Sequence, residues 1–166
     1  MMRLPTKKLT ALGLLLAVSV LLGFIEHLLP VFLPVPGAKL GLANLVVLLL
    51  LFTPEYKWQE IFCFQLARVV LTGLLFANLF SLLYSLAGML LSLAAMLLVR
   101  KCFGFGVLAV SMVGGVFHNI GQILVAAGLI SGYTVLYYLP SLLVFGLIAG
   151  FCMGVLSHIL LERKIL

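Results

Sequence analysis

The sequence contains very little charge and no aspartate. Of its 166 residues, 8% are charged and 65% are hydrophobic, whereas soluble domains average about 25% charged residues. The mean hydropathy is +1.37. These values exclude a soluble globular domain, and unbroken apolar runs such as 12–24 exclude the alternating strands of a β-barrel. We therefore predict an all-α integral membrane protein, whose length leaves room for about six spans and no appended soluble catalytic domain.

Residues that bind metals or cofactors are also scarce. All four acidic residues are glutamates, and the three cysteines, Cys63, Cys102 and Cys152, lie far apart among apolar residues. An odd and scattered set of cysteines predicts neither a disulfide framework nor a zinc site. The chain has no P-loop, so any ATP hydrolysis would have to come from partner subunits. We expect no metal and no cofactor.

Six apolar segments predict a single domain, residues 1–166, that is a six-transmembrane-helix bundle. The first segment follows three basic residues and imitates a signal peptide, but its length and the lack of an Ala-x-Ala site favour a retained helix. The second is short for a crossing, which needs about 20 residues; it could be tilted, extended by its flanks, or re-entrant. The segments cover about residues 10–29, 40–52, 61–77, 79–99, 107–130 and 137–161.

The basic residues indicate the orientation, because Lys and Arg accumulate in short cytoplasmic loops. Of the ten basic residues, Lys39 falls on one side of the predicted bundle, Arg68 lies within the third helix, and the others fall on the opposite side. Both termini are therefore predicted to be cytoplasmic, and the net charge of +6 is an orientation signal rather than evidence for nucleic-acid binding. The residues on the common side are Arg3, Lys7, Lys8, Lys57, Arg100, Lys101, Arg163 and Lys164.

Polar residues inside the spans predict a ligand pocket. An arginine within a membrane costs about 3 kcal/mol or more, so it normally faces protein or a water-filled cavity. Gln65, Arg68 and Thr72 share one face of the third helix, and the topology places Arg68 near mid-membrane, at a height similar to a polar patch on the fifth helix. The predicted outward-facing pocket has apolar walls and the polar residues Glu26, Lys39, Asn44, Arg68, His118, Asn119 and Gln122.

A structural interpretation of the same residues stays open. Arg68 could pair with Glu26 or with helix-end carbonyls, and Asn119 and Gln122 could form interhelical hydrogen bonds worth about 0.6 kcal/mol each. If the pocket exists, its excess of basic groups predicts a small anionic or amphipathic ligand with an apolar body.

Small residues form a second pattern. Gly146, Gly150 and Gly154 recur every four residues in the sixth helix, and Gly13 and Ala17 repeat the spacing in the first. Such stripes allow close approach of another helix. Both docking of a partner and packing within the bundle remain open for these two helices.

Two stretches, 36–44 (PGAKLGLAN) and 114–122 (GGVFHNIGQ), resemble the Gx transporter family. That family is also labelled heptaprenyl diphosphate synthase component I and is grouped with the substrate-binding (S) components of energy-coupling factor transporters. The resemblance covers nearly the whole chain. It implies a multi-pass protein of the bacterial cytoplasmic membrane that captures a nutrient and docks on a module of one transmembrane coupling protein and two ATPases. By position, residues 30–39 would gate the pocket and Gly13 and Ala17 would dock on the coupling protein; the Gly-x-x-x-Ala found here departs mildly from the better known Ala-x-x-x-Ala.

The family's second label can be tested against the composition. Prenyl chain elongation needs magnesium held by aspartate-rich motifs, and this chain has no aspartate, so we predict that it is not an enzyme. The leading hypothesis is an S component that binds a small molecule within the lipid bilayer. The alternative is a non-catalytic membrane subunit associated with a polyprenyl diphosphate synthase or a quinone or electron-transfer assembly. A channel is disfavoured because few polar residues are available to line a pore.

Overall fold

The computed structural model describes residues 5–28, 41–76, 78–129 and 137–163, and these contain six α-helices. All but the second are long and apolar enough to cross a membrane, which confirms the all-helical membrane architecture. α1 and α3 begin before the predicted apolar segments and α4 ends after its segment, because residues with good helix propensity such as Lys, Gln, Glu and Arg continue the helix there. The elements are α1 (Thr6–Leu28), α2 (Leu42–Phe52), α3 (Trp58–Phe76), α4 (Leu79–Phe103), α5 (Val107–Leu129) and α6 (Leu139–Glu162).

The shortest helix is the most enclosed. α2 has 11 residues, which gives a length of about 16 Å at 1.5 Å per residue. It contacts α1, α3, α5 and α6. It ends at Phe52, because the next residue, Thr53, is extended and its N–H turns back to the carbonyls of Leu49 and Leu50. The buried side chains of α2, which form the centre of the core, are Ala43, Val46, Val47, Leu48, Leu49, Leu50 and Leu51.

Charged side chains join the elements at one end of the bundle. Lys8, at the start of α1, forms an ion pair with Glu60 at the start of α3, with 2.6 Å between Nζ and Oε2. Its Nζ also donates a hydrogen bond of 2.6 Å to the backbone carbonyl of Glu55. Arg100, near the end of α4, lies 4.8 Å from the ring centre of Phe52, at the end of α2. We call this the basic end of the bundle and the opposite one the far end.

Close backbone contacts hold α4, α5 and α6 together as a layer with α5 in the middle. A Cβ atom added to Gly121 of α5 would lie 2.6 Å from the carbonyl oxygen of Ala87 in α4. A Cβ added to Gly150 of α6 would lie 2.7 Å from the carbonyl oxygen of Ser111 in α5. Only glycine permits such approach, so these contacts explain why small residues recur on these helices.

α1 lies at the edge of the molecule. In the part of the chain that the structure describes, its helical neighbours are α2 and α3. Its broad outer stripe carries exposed apolar side chains such as Leu14 and Leu21. One inward residue, Ser19, is fully buried and donates a hydrogen bond of 3.2 Å to the carbonyl of Ala43 in α2. α1 is therefore the helix with the largest share of its surface available to lipid or to a partner.

Candidate functional site

The start of α2 is built around a glycine. Gly41 has a φ of +77°, in the left-handed region that glycine adopts without strain. No side chain at this position caps the helix. The backbone N–H of Gly41 instead donates a hydrogen bond to the Glu26 carboxylate, which reaches it from near the end of α1. A carboxylate thus sits at the positive end of the α2 dipole.

Arg68 lies beside this carboxylate, inside α3. Its side chain is 9% exposed, and its Nε is buried with no hydrogen-bond partner among the described residues. The charge of Glu26 acts on the guanidinium, yet no described acidic side chain comes within 4.0 Å of it. Arg68 and Glu26 therefore do not form a direct ion pair.

Three helices meet just above Arg68 toward the far end. Thr72, one turn further along α3, donates a hydrogen bond of 2.8 Å to the Arg68 carbonyl. A Cβ added to Gly23 of α1 would lie 3.0 Å from Cγ2 of Thr72 and 4.0 Å from Cβ of Ala43 in α2. Gln65, one turn before Arg68, is 1% exposed, and its Oε1 has no partner among the described residues. The polar face predicted for α3 is thus directed into the protein.

The polar patch of α5 lies on the other side of the bundle. Asn119 is buried, and its amide donates a hydrogen bond to the backbone carbonyl of Leu142 in α6. His118 packs against α4, since a Cβ added to Gly88 would lie 2.8 Å from the imidazole ring. Gln122 is half-buried on the same helix. No Cα atoms of α3 and α5 lie within 8 Å of each other among the described residues.

The structure therefore divides the predicted polar wall into two groups. Glu26 lies at the start of α2, where Asn44 is half-buried in the first turn, and its charge acts on Arg68. The α5 residues instead join α5 to its neighbours, because α5 lies between α4 and α6 rather than beside α3. Lys39 and the predicted gate, 30–39, lie outside the described residues.

The two small-residue stripes also have different surroundings. Gly146, Gly150 and Gly154 are buried against α5, so this groove is filled from within the chain, and a partner helix would have to use another surface. Gly13 and Ala17 are exposed on the outer stripe of α1, and a Cβ added to Gly13 would meet nothing within 4 Å. Only the α1 stripe is open to a partner.

Two features were not predicted as functional. Gly41 was not singled out as the residue that brings a backbone N–H to Glu26, although a glycine just before an apolar run is a signal for a special backbone conformation. The ion pair between Lys8 and Glu60 was missed because the residues are 52 positions apart. Within the described ranges, no three His, Cys, Asp or Glu side chains lie close enough to hold a metal ion. What the arrangement at the start of α2 can do is bind negative charge, since the helix dipole and the Gly41 N–H act on the Glu26 carboxylate, and the charge of that carboxylate also acts on Arg68.

Comparison with known proteins gives one family. The family model described as heptaprenyl diphosphate synthase component I matches residues 15–160, which is most of the chain. No curated protein and no solved structure matches it.

Proposed function

Because the chain belongs to the heptaprenyl diphosphate synthase component I family, and because Arg68 is buried within α3 while the Glu26 carboxylate lies at the start of an internal helix, we propose that it is a membrane-embedded binding component. It captures a small amphipathic anion and delivers it to an energy-coupling module of a transmembrane coupling protein and two ATPases. The observation that carries the proposal is Arg68, buried within α3 and with its Nε unpartnered among the described residues.

The energetic cost of Arg68 supports a functional role. A guanidinium inside a bilayer is kept when it serves a pathway or a ligand. If its role were only to tie α3 to α1, a direct ion pair with Glu26 would lower that cost, yet no such contact within 4.0 Å forms among the described residues. The remaining donor capacity is suited to a carboxylate or phosphate of a ligand, with the apolar core beside it for the ligand's body.

The charge distribution supports capture from the outside. Lys8, Lys57 and Arg100 lie at the basic end, and basic residues mark the cytoplasmic side of a membrane protein. The start of α2 and the Glu26 carboxylate lie toward the far end, which by this rule faces outward. A ligand from outside would reach Arg68 without crossing the apolar centre around α2.

The exposed stripe of α1 supports docking on a coupling protein. Gly13 and Ala17 lie one turn apart with open space in front of Gly13. Small residues let a partner helix approach closely within a bilayer. Because α1 has helical neighbours on one side only among the described residues, a partner can bind it without displacing another helix.

A second function is favoured by the family's description, which names a component of a prenyl diphosphate synthase. In that case the chain is a non-catalytic membrane subunit, and its partner is a soluble synthase subunit. The two functions predict different co-purifying proteins, and only the first predicts a bound small molecule.

One purification tests both functions. The full chain is isolated from native membranes in mild detergent, accompanying proteins are identified, and bound small molecules are measured by native mass spectrometry. We expect an anionic small molecule on the wild type and on Arg163→Met, an exposed control that removes the same charge, and none on Arg68→Met. Recovery of ATPases and a coupling protein supports uptake. Recovery of a soluble synthase with no bound small molecule on any variant overturns the proposal in favour of the second function.

A further inference from the structure

The start of α2 has unused capacity for negative charge. The first N–H groups of a helix have no intrahelical acceptor and carry a partial positive charge. At α2 the preceding residue is a glycine in the left-handed conformation, which offers its own N–H and no side-chain cap. Of the first residues, Asn44 returns its N–H to the Gly41 carbonyl. The Glu26 carboxylate accepts the hydrogen bond of the Gly41 N–H and so places a negative charge at this positive end.

Arg68 is an independent indication that an anion belongs here. Its side chain is more than nine-tenths buried, and its Nε has no acceptor in the described part of the chain. A planar guanidinium recognises carboxylates and phosphates through two parallel hydrogen bonds. The Glu26 carboxylate instead accepts a hydrogen bond from Gly41, and no described carboxylate forms the two parallel hydrogen bonds with Arg68. Glu26 therefore occupies a position where the N-terminus of α2 and the Arg68 guanidinium could together bind an anion.

We propose that the start of α2 and Arg68 form a binding site for a carboxylate or phosphate group, and that Glu26 fills this site as a tethered stand-in until the ligand's own anionic group displaces it. The inference rests on the proposed function, since Arg68 and the start of α2 carry both. Anion binding at this point requires neither transport nor a particular partner.

Displacement of Glu26 has a mechanical consequence for α1. Besides the Glu26 bond to Gly41, the described contacts that join the far half of α1 to α2 include the Ser19 bond to the Ala43 carbonyl. Glu26 lies two residues before the end of α1 at Leu28. An anion that takes its place removes the Glu26 bond, and the Ser19 bond remains to join α1 to α2.

The test is chemical rescue of a missing carboxylate. Glu26→Ala is purified as the full chain, and its thermal unfolding midpoint is measured in sodium formate and in sodium chloride at equal ionic strength. We expect a lower midpoint than wild type in chloride. Formate at about five times its dissociation constant should raise the midpoint by about 2–4 °C over chloride. The wild type, whose site is already filled, should respond less, and Glu26→Ala combined with Arg68→Met should not respond.

The same measurement includes a control variant and distinguishes the possible sources of the anion. Glu162→Ala removes an exposed carboxylate at the end of α6 and should respond to formate no more than wild type does. If Glu26→Ala does not fold, Glu26→Ser, which also leaves the position of the carboxylate vacant, is used in its place. Inorganic phosphate and nanodiscs of phosphatidylglycerol, set against phosphatidylcholine, separate a free anion from a lipid headgroup. Stabilisation of the Glu26 variant by any of these anions, beyond the response of the wild type, supports the site and identifies its source.

An equal response of the Glu26 variant and the wild type to formate, phosphate and anionic lipid would overturn the inference. This result is distinguishable from failure of the proposed function. A site rescued by formate in a chain that carries no small molecule and no coupling partner retains the anion site and rejects uptake. A chain that carries a ligand but shows no rescue retains uptake and rejects Glu26 as the stand-in.

Discussion

Gly150 of α6 lies against the backbone of α5 at Ser111, so that a Cβ atom on this glycine would fall 2.7 Å from the Ser111 carbonyl oxygen. A side chain and a backbone oxygen cannot share that space, and the backbone of a packed helix yields little. The distance between α5 and α6 is thus set by the absence of a side chain. This contact also explains why the glycine stripe of α6 is not available to another protein.

We predict that Gly150→Ala lowers the free energy of unfolding by about 1–3 kcal/mol, the usual cost of overpacking. The matched control is Gly128→Ala in α5, where a Cβ would meet nothing within 4 Å. Denaturation of both variants in the same detergent measures the difference. Equal stabilities of the two variants would show that α5 and α6 separate at little cost.

The left-handed conformation of Gly41 gives a second prediction. Alanine in this conformation costs about 1–2 kcal/mol, and Gly104, at φ +64° after α4, provides a control with the same backbone penalty and no nearby side chain. We expect Gly41→Ala to destabilise the chain more than Gly104→Ala, because movement of Gly41 also weakens its hydrogen bond to Glu26. In a Glu26→Ala background, which removes the acceptor, this excess should shrink. An excess that persists there would mean that Gly41 matters for a reason other than the carboxylate.

The ion pair at the basic end gives a third. The side chains of Lys8 and Glu60 are 15% and 6% exposed, and removal of one partner leaves the other charge in a poorly solvated position. We predict that Lys8→Met lowers the free energy of unfolding by about 1–3 kcal/mol. Lys7→Met, an exposed neighbour, should have little effect. In a double-mutant cycle, Glu60→Gln should lower the free energy of unfolding by less when Lys8 is already replaced. If the two effects were strictly additive, Lys8 and Glu60 would not be coupled.

The open space in front of Gly13 gives a fourth prediction. Gly13→Phe should leave the unfolding midpoint of the isolated chain nearly unchanged, because Gly13 is exposed and a Cβ there meets no described atom within 4 Å, but should abolish recovery of the coupling protein from native membranes. Leu124→Phe, at another exposed apolar position, is the control for bulk on the outer surface. Undiminished recovery of the partner with Gly13→Phe would place the docking surface elsewhere.

The helices could be predicted from the sequence, because a membrane-spanning helix appears in it as a long apolar run flanked by polar residues. Thus α5 begins at Val107 as predicted, and α4 continues past the predicted boundary until Gly104, whose left-handed conformation ends the helix. The inward direction of Gln65 and Arg68 also followed from their spacing and from the cost of charge in lipid.

The grouping of the polar residues could not be read in this way. His118 and Arg68 were predicted to face one pocket because their heights were similar, but height does not say which helices are neighbours. α5 is enclosed by α4 and α6 through close glycine contacts, such as those of Gly121 and Gly150, and these contacts direct the amide of Asn119 to α6. Which helices are neighbours depends on how small residues pack between each pair of helices. A single sequence does not show which of the possible pairs pack best.

The shortness of α2 has a consequence for how the chain enters a membrane. A helix of about 16 Å covers roughly half of a hydrocarbon core that is about 30 Å thick, so by itself it cannot satisfy the backbone of a crossing segment. α1, which is long and apolar and has little of its surface buried by the other described helices, can insert on its own. α2 is stable at depth only once α3 and α6 cover its sides, which makes the centre of the finished bundle one of the last parts to settle during biogenesis.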